Sequence, residues 1–345
     1  MIVDYRSEEF NVSLLFLDKL KTIEIWETGS GVKTRLAMWT KSRVPSSLHD
    51  PLLPLITYDS VLSDGDAEYS WRIVQTQGPE NEAITRLSQV AGHDSVNYIV
   101  QRCKLRPDVR IAYPLTSRER MSGRLFTFPP LPSKTCFPVH IHALFALTSS
   151  RQSLRNPNET GIMQGSDNGV LIKWNQLLFH HYRPQTWDYL LKTLAEDASC
   201  SDILDAWPPY CSSVTSGDGV YWQDILSNTF KVIVGSQLKD WPTVTAQGTT
   251  NYIDLKSSLI VARGEVDADV LVVLAELGLT CVQLPQSLLD LVDDSMAKLS
   301  SSVAHERLQG VGAFDRLSAD KRALVCKYLL SDTPDESKTI NTLMA

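Results

Sequence analysis

His140 and His142 lie two residues apart in the alternating run PVHIHAL. Side chains on a strand repeat every second residue, so both imidazoles share a face opposite Val139 and Ile141. Such a pair could bind a metal ion, but neither a Cys nor an acid in the strand supplies a third ligand. The plainer expectation is a covered sheet face where each imidazole finds a hydrogen-bond partner. His180 and His181 are neighbours in a helical stretch and diverge by about 100°, which makes a poor joint metal site. His181 is expected to be partly buried.

Other chemistry is sparse. Gly29-Ser30-Gly31 and Gly310-Val311-Gly312 each offer a GxG, but neither extends into a phosphate-cradling loop, so both read as turns. No GxSxG elbow occurs, and none of the six cysteines (103, 136, 200, 211, 281 and 326) has a catalytic context or a CxxC spacing. Asp167-Asn168-Gly169 resembles the opening of the Asp-x-Gly-x-Gly adenine-binding motif of the GHKL ATPases. Leu171 occupies the second glycine position, however, and a turn in a surface loop explains the triplet better. No self-contained active site is visible, and the chain is expected not to be an enzyme by itself, with no cofactor and no metal.

The elements that must carry these residues are mixed. Glu8 to Leu20 has helical spacing, while Thr22–Trp26 and Val32–Thr40 alternate around a Gly-rich turn and predict a hairpin. Tyr69–Gln77 and Val109–Tyr113 read as strands, and Pro79–Val90 reads as a helix. Arg124–Phe128 and Phe137–Leu147 predict a central strand pair, joined by PPLPSKTC as a connection because proline interrupts a ladder. After a Ser/Asn/Gly-rich loop, Ser149 to Gly169, two amphipathic helices follow in series. Trp174 anchors the first, and Pro184 opens the second. Leu259–Ala262 and Thr280–Leu284 predict strands flanking a helix capped by Asp267 and closed at Gly278, and Ser318 caps a last helix.

Composition narrows the function classes. The 33 basic and 40 acidic residues leave a formal charge of −7, which argues against a general grip on nucleic acid or an anionic membrane. The longest aliphatic stretch, Val270 to Ala275, falls far short of the roughly 20 residues of a membrane span. The N-terminus lacks a signal-peptide pattern, so a cytoplasmic setting is expected, with the nucleus as the alternative. At 345 residues the chain predicts more than one structural unit: 1–198, then 220–332, with a Ser/Asp/Pro/Gly-rich divide and a polar tail at 333–345.

Three ordered stretches carry a family resemblance: RLFTFPPLP (124–132), FPVHIHALFALTSSRQSL (137–154) and KWNQLLFHHYRPQTWDYLL (173–191). They resemble successive motifs of the sacsin repeat region. Residues 13–27 look like the family's exit from its GHKL-type ATPase domain, and 104–115, 274–285 and 317–332 resemble further parts of one repeat. The resemblance implies an α+β fold of mixed sheet layers with packed helices in two units, and a chaperone or co-chaperone role on protein clients. It also implies partnership with a GHKL-type ATPase domain not seen in this sequence, with ATP entering only through that domain.

In the related heat-shock chaperones an arginine in a loop after a middle-domain strand reaches the ATP γ-phosphate, and Arg151 lies in the corresponding-looking loop. The sequence departs from the family there, with Ser150 and Gln152 replacing Asn and Arg, and His142-Ala143 replacing Asn-Gly. Two other readings remain: a stand-alone interaction scaffold without an ATP-driven cycle, and a metal-dependent hydrolase using His140 and His142.

Overall fold

The computed structural model describes residues 12–29, 31–45, 55–91, 96–116, 122–159, 167–197, 203–208, 221, 224–236, 241–245, 250–309 and 314–331. The fold is α+β, with two sheets and two compact units, 1–194 with 199–229, and 195–198 with 230–345.

The first unit is built on an eight-stranded sheet: β1 (Thr22–Gly29), β2 (Val32–Pro45), β3 (Leu55–Ser63), β4 (Glu68–Gln77), β5 (Asp108–Pro114), β6 (Arg124–Phe126), β7 (Pro130–Lys134) and β8 (His140–Ala143). Their spatial order is β1-β2-β3-β4-β5-β8-β6-β7. The pairing is antiparallel except between β6 and β8. One face buries Trp39, Tyr58, Leu62, Trp71, Ile73, Ala112 and Phe126 under Leu14, Leu15 and Phe16 of the segment before β1. The helices of this unit are α1 (Glu80–Ala91), α2 (Val96–Arg102), α3 (Asp167–Leu177) and α4 (Arg183–Ala195). α4 covers the opposite sheet face, where Arg72 of β4 donates to the Thr193 carbonyl at 3.1 Å and the Thr186 hydroxyl meets Thr76 at 2.8 Å.

Two expectations are corrected here. Pro130–Lys134 is a strand, and not a connection: it lies at the sheet edge, where the missing N–H of a proline interrupts no ladder. The two strands flanking it run parallel and adjacent, so β7 folds outside them. The second correction concerns Pro184, which does not start a separate helix. α3 and α4 are continuous through a π-helical turn at Leu178–Tyr182, in which the Arg183 N–H donates to the Leu178 carbonyl. The next bond of that pattern would need the N–H that Pro184 lacks, and Arg183 Nε supplies the donor to the Phe179 carbonyl at 3.0 Å.

The helix expected over Glu8 to Leu20 lies partly outside the described residues, and only a short helical turn follows Val12. β3 and α2 had no prediction. The core-side residues of β3 include Ser60 between Tyr58 and Leu62, which blurs the alternation.

α5 (Ile225–Ser236) begins in the first unit and ends in the second. The second unit adds β9 (Trp241–Val244), β10 (Thr250–Ile253), β11 (Leu259–Ala262) and β12 (Cys281–Leu284), in the order β10-β9-β12-β11. β11 and β12 flank α6 (Ala268–Glu276), as expected, and pair in parallel. The Asp267 carboxylate accepts from the Asp269 N–H at 2.9 Å, and Gly278 takes the left-handed φ of +91° after the helix. α7 (Gln286–Leu289), α8 (Ser301–Leu308) and α9 (Ala319–Leu330) complete it, with Ser300 capping α8 and Ser318 capping α9. The core joins Leu271, Leu274, Cys281, Leu308, Val325 and Leu329.

Candidate functional site

β8 leads directly into the loop that carries Arg151. Leu147 and Leu154 form an antiparallel bridge across its base, and the Thr148 N–H donates to the Ser153 carbonyl at 2.9 Å. Inside this closure the Arg151 N–H donates to the Thr148 carbonyl at 2.9 Å, and Arg151 takes a left-handed φ of +57°. Such a φ is uncommon for a residue with a Cβ and persists only where the surroundings fix it. The Arg151 side chain is exposed, with no ion pair among the described residues.

Two adjacent helix residues anchor the chain on either side of this closure. Trp174 is fully buried, as expected, and its indole N–H donates to the Leu144 carbonyl at 2.9 Å. Asn175, also fully buried, treats the loop as a neighbouring strand would: its Oδ1 accepts from the Ala146 N–H at 2.8 Å, and its Nδ2 donates to the carbonyls of Ala146 at 2.8 Å and Arg155 at 3.0 Å. The Tyr221 hydroxyl adds a bond to the same Arg155 carbonyl. Arg155 itself pairs with Glu159 at 2.8 Å. Asn175 and Tyr221 had been missed as site residues. The available signal was the Trp174-Asn175 pair, a polar side chain beside a buried aromatic in mid-helix, where an amide needs partners.

The histidines share one face, as the alternation requires, with His142 opposite Arg110 and His140 opposite Ala112 on β5. Their surroundings differ from expectation. The cover is aromatic: Phe16 stacks on His142 at 5.2 Å with Phe128 at its edge, and Trp71 stacks on His140 at 5.1 Å. His140 Nδ1 accepts from the Arg124 N–H at 3.1 Å, whereas neither ring nitrogen of His142 has a hydrogen-bond partner among the described residues. Burial, reinforced by Arg124 and Arg110 respectively, pushes His140 down to about 3 and His142 down to about 4. Both are neutral at ordinary pH. Among the described residues no group of three His, Cys, Asp or Glu could hold a metal ion.

Beside His142, Arg110 joins a polar cluster under the leading segment. Its guanidinium donates to Asp18 at 2.8 Å, and Gln75 holds both oxygens of Asp108 at 2.9 and 3.0 Å. Burial pushes the Asp108 carboxyl and the Tyr58 phenol upward despite Arg110. Lys41 Nζ donates to the Leu17 carbonyl at 2.6 Å, so the segment before β1 is tied to the sheet by both apolar and polar contacts.

Asp167 does not lie in a loop turn; it opens α3 and pairs with Arg102 at 2.7 Å. His181 is partly exposed and lies 3.5 Å from Glu82. Cys103, Cys281 and Cys326 are free thiols, and Cys136 is disulfide-bonded. Among the described residues no helix is long and apolar enough to cross a membrane.

The fold and site together define an α+β chain that holds one exposed arginine on a braced loop. No protein-family model and no solved structure matches the chain. Over 157 residues it is 29% identical to human sacsin, an alignment that covers 39% of this chain and 3% of sacsin. That similarity supports a sacsin-like relation, with a chain that matches only a small fraction of its relative's length.

Proposed function

We propose that this chain is a sacsin-like interaction module that holds protein clients and, when a GHKL-type ATPase domain docks against it, offers Arg151 to the nucleotide. The observation that carries this reading is the locked loop. Holding the backbone of an arginine in place before its ligand arrives lowers the entropy still to be lost on binding, and a guanidinium so placed can offset charge that develops in phosphoryl transfer. The loop base is held by Trp174, Asn175 and Tyr221, while the Arg151 side chain is left to solvent.

The test is turnover of the chain joined to a GHKL-type ATPase domain ahead of its leading segment. Arg151→Ala should lower kcat at least about tenfold with little change in nucleotide affinity, because a contact made in the transition state acts on kcat. Gln152→Ala, an exposed neighbour, is the control. Arg155 is unsuitable, since its guanidinium pairs with Glu159 and its backbone is part of the clamp. Equal, unchanged turnover in both variants would favour the second reading, a stand-alone scaffold without an ATP-driven cycle, for which Ser150 and Gln152 at the family's Asn and Arg positions already speak.

A further inference from the structure

The two edges of the eight-stranded sheet are unlike. β7 carries Pro130 and Pro132, which lack the N–H a further strand would need. β1 has no proline, runs for eight residues and is regular: the bulge at the Ile25–Trp26 step places its extra residue, Leu36, in β2. The Lys41 N–H donates to the Lys21 carbonyl at 2.7 Å. By the alternation of antiparallel ladders, Ile23 and Ile25 then turn their backbone groups toward β2, and Thr22, Glu24 and Trp26 turn theirs outward. Among the described residues nothing bonds to those outward groups. The edge is also apolar in part, with Leu20 50% and Trp26 41% exposed.

We infer that β1 pairs with β1 of a second copy of this chain, antiparallel about a twofold axis at Glu24, which joins the two sheets edge to edge. The sequence of β1 is its own complement in that register. Lys21 falls opposite Glu27 of the second copy, Ile23 opposite Ile25, and Thr22 opposite Trp26, each pair occurring twice. Thr22, Glu24 and Trp26 are the residues whose backbone groups point outward, so the charge register and the hydrogen-bond register coincide. Lys21 and Glu27 are exposed and have no ion pair among the described residues. The one like-charge meeting, Glu24 on Glu24, is offset because each carboxylate already lies 3.2 Å from Arg35 of its own chain. A foreign strand would have to bring a Lys, two β-branched residues and a Glu at these same spacings, and β1 supplies them by symmetry.

Sedimentation velocity of the full chain across the micromolar range reads the association directly. The wild type should pass from monomer to dimer as concentration rises. Glu24→Pro removes an outward-facing N–H together with the exposed contacts of the Glu24 carboxylate to Arg35 and Trp26, and should leave a folded monomer, as checked by circular dichroism. Lys21→Glu and Glu27→Lys should each weaken association about tenfold, since each places like charges opposite one another twice per dimer. The double variant, and an equimolar mixture of the two single variants, should recover it. That mixing result stands even if the proline variant does not fold. A wild type that stays monomeric, a dimer indifferent to Glu24→Pro, or single variants that fail to recover on mixing would overturn the pairing. An edge that instead captures only an unrelated extended peptide would overturn it equally.

Discussion

Asn175→Ala tests the clamp behind Arg151 most directly. The wild-type amide makes three bonds at 2.8 to 3.0 Å, but their loss is not uniform. The Ala146 carbonyl keeps the Arg155 N–H at 2.9 Å, and the Arg155 carbonyl keeps the Tyr221 hydroxyl. Only the Ala146 N–H, on a residue 6% exposed, is stranded. A stranded buried donor costs about 1 to 3 kcal/mol and each redundant bond about 0.5 to 1, so the variant should lose about 3 kcal/mol. Urea unfolding followed by tryptophan fluorescence measures this. Hydrogen exchange should show faster exchange at the amides of Arg151 and Arg155, with strands β3 and β4 unchanged.

Asn175→Asp separates hydrogen bonding from packing, because it preserves shape while turning an oxygen toward two carbonyls. It should be at least as damaging as Ala at neutral pH and should recover on acidification. Burial raises the new carboxyl's pKa, and the protonated form regains a donor. A loss below about 0.5 kcal/mol for Asn175→Ala, or an Asp variant indistinguishable from wild type, would refute the clamp.

The two buried histidines give a pH signature of known sign. Their folded pKa values lie below the ordinary 6.5, so the unfolded chain binds more protons as pH falls from about 6.5 toward 4, and stability falls by roughly 1.4 kcal/mol per pH unit for each imidazole. His142→Phe, which surrenders no side-chain hydrogen bond among the described residues, should roughly halve that dependence, leaving the His140 contribution, and preserve stability at neutral pH. A thermal-melt series with an unaltered slope would show that His142 does not contribute to the titration. Gly123→Ala should destabilise by about 3 kcal/mol or prevent folding, since its Cβ would lie 2.1 Å from the Val139 carbonyl oxygen, a backbone atom with little room to retreat. Gly235→Ala, in α5 with nothing within 4 Å, should stabilise by up to about 1 kcal/mol, and thermal denaturation of the pair reads the contrast.

Where local rules dominate, the sequence alone determined the structure. The alternation at 22–26 and 32–40, the capping by Asp267 and Ser318, and the Gly278 stop were legible because each depends on residues within a turn of one another. The sharing of one face by His140 and His142 followed from strand geometry for the same reason. What covers that face did not, because Phe16 is supplied from 126 residues away, and only the folded chain decides whether an imidazole meets a donor or a ring. Pro130 and Pro132 argued against a strand until the sheet order made Pro130–Lys134 an edge, and Pro184 argued for a helix break until Arg183 Nε took over the missing donor. Arg151 was legible as a residue in a loop after β8. That its backbone is fixed at φ +57° behind Asn175 was not, since a hydrogen bond between residues 29 apart leaves no local trace in a single sequence.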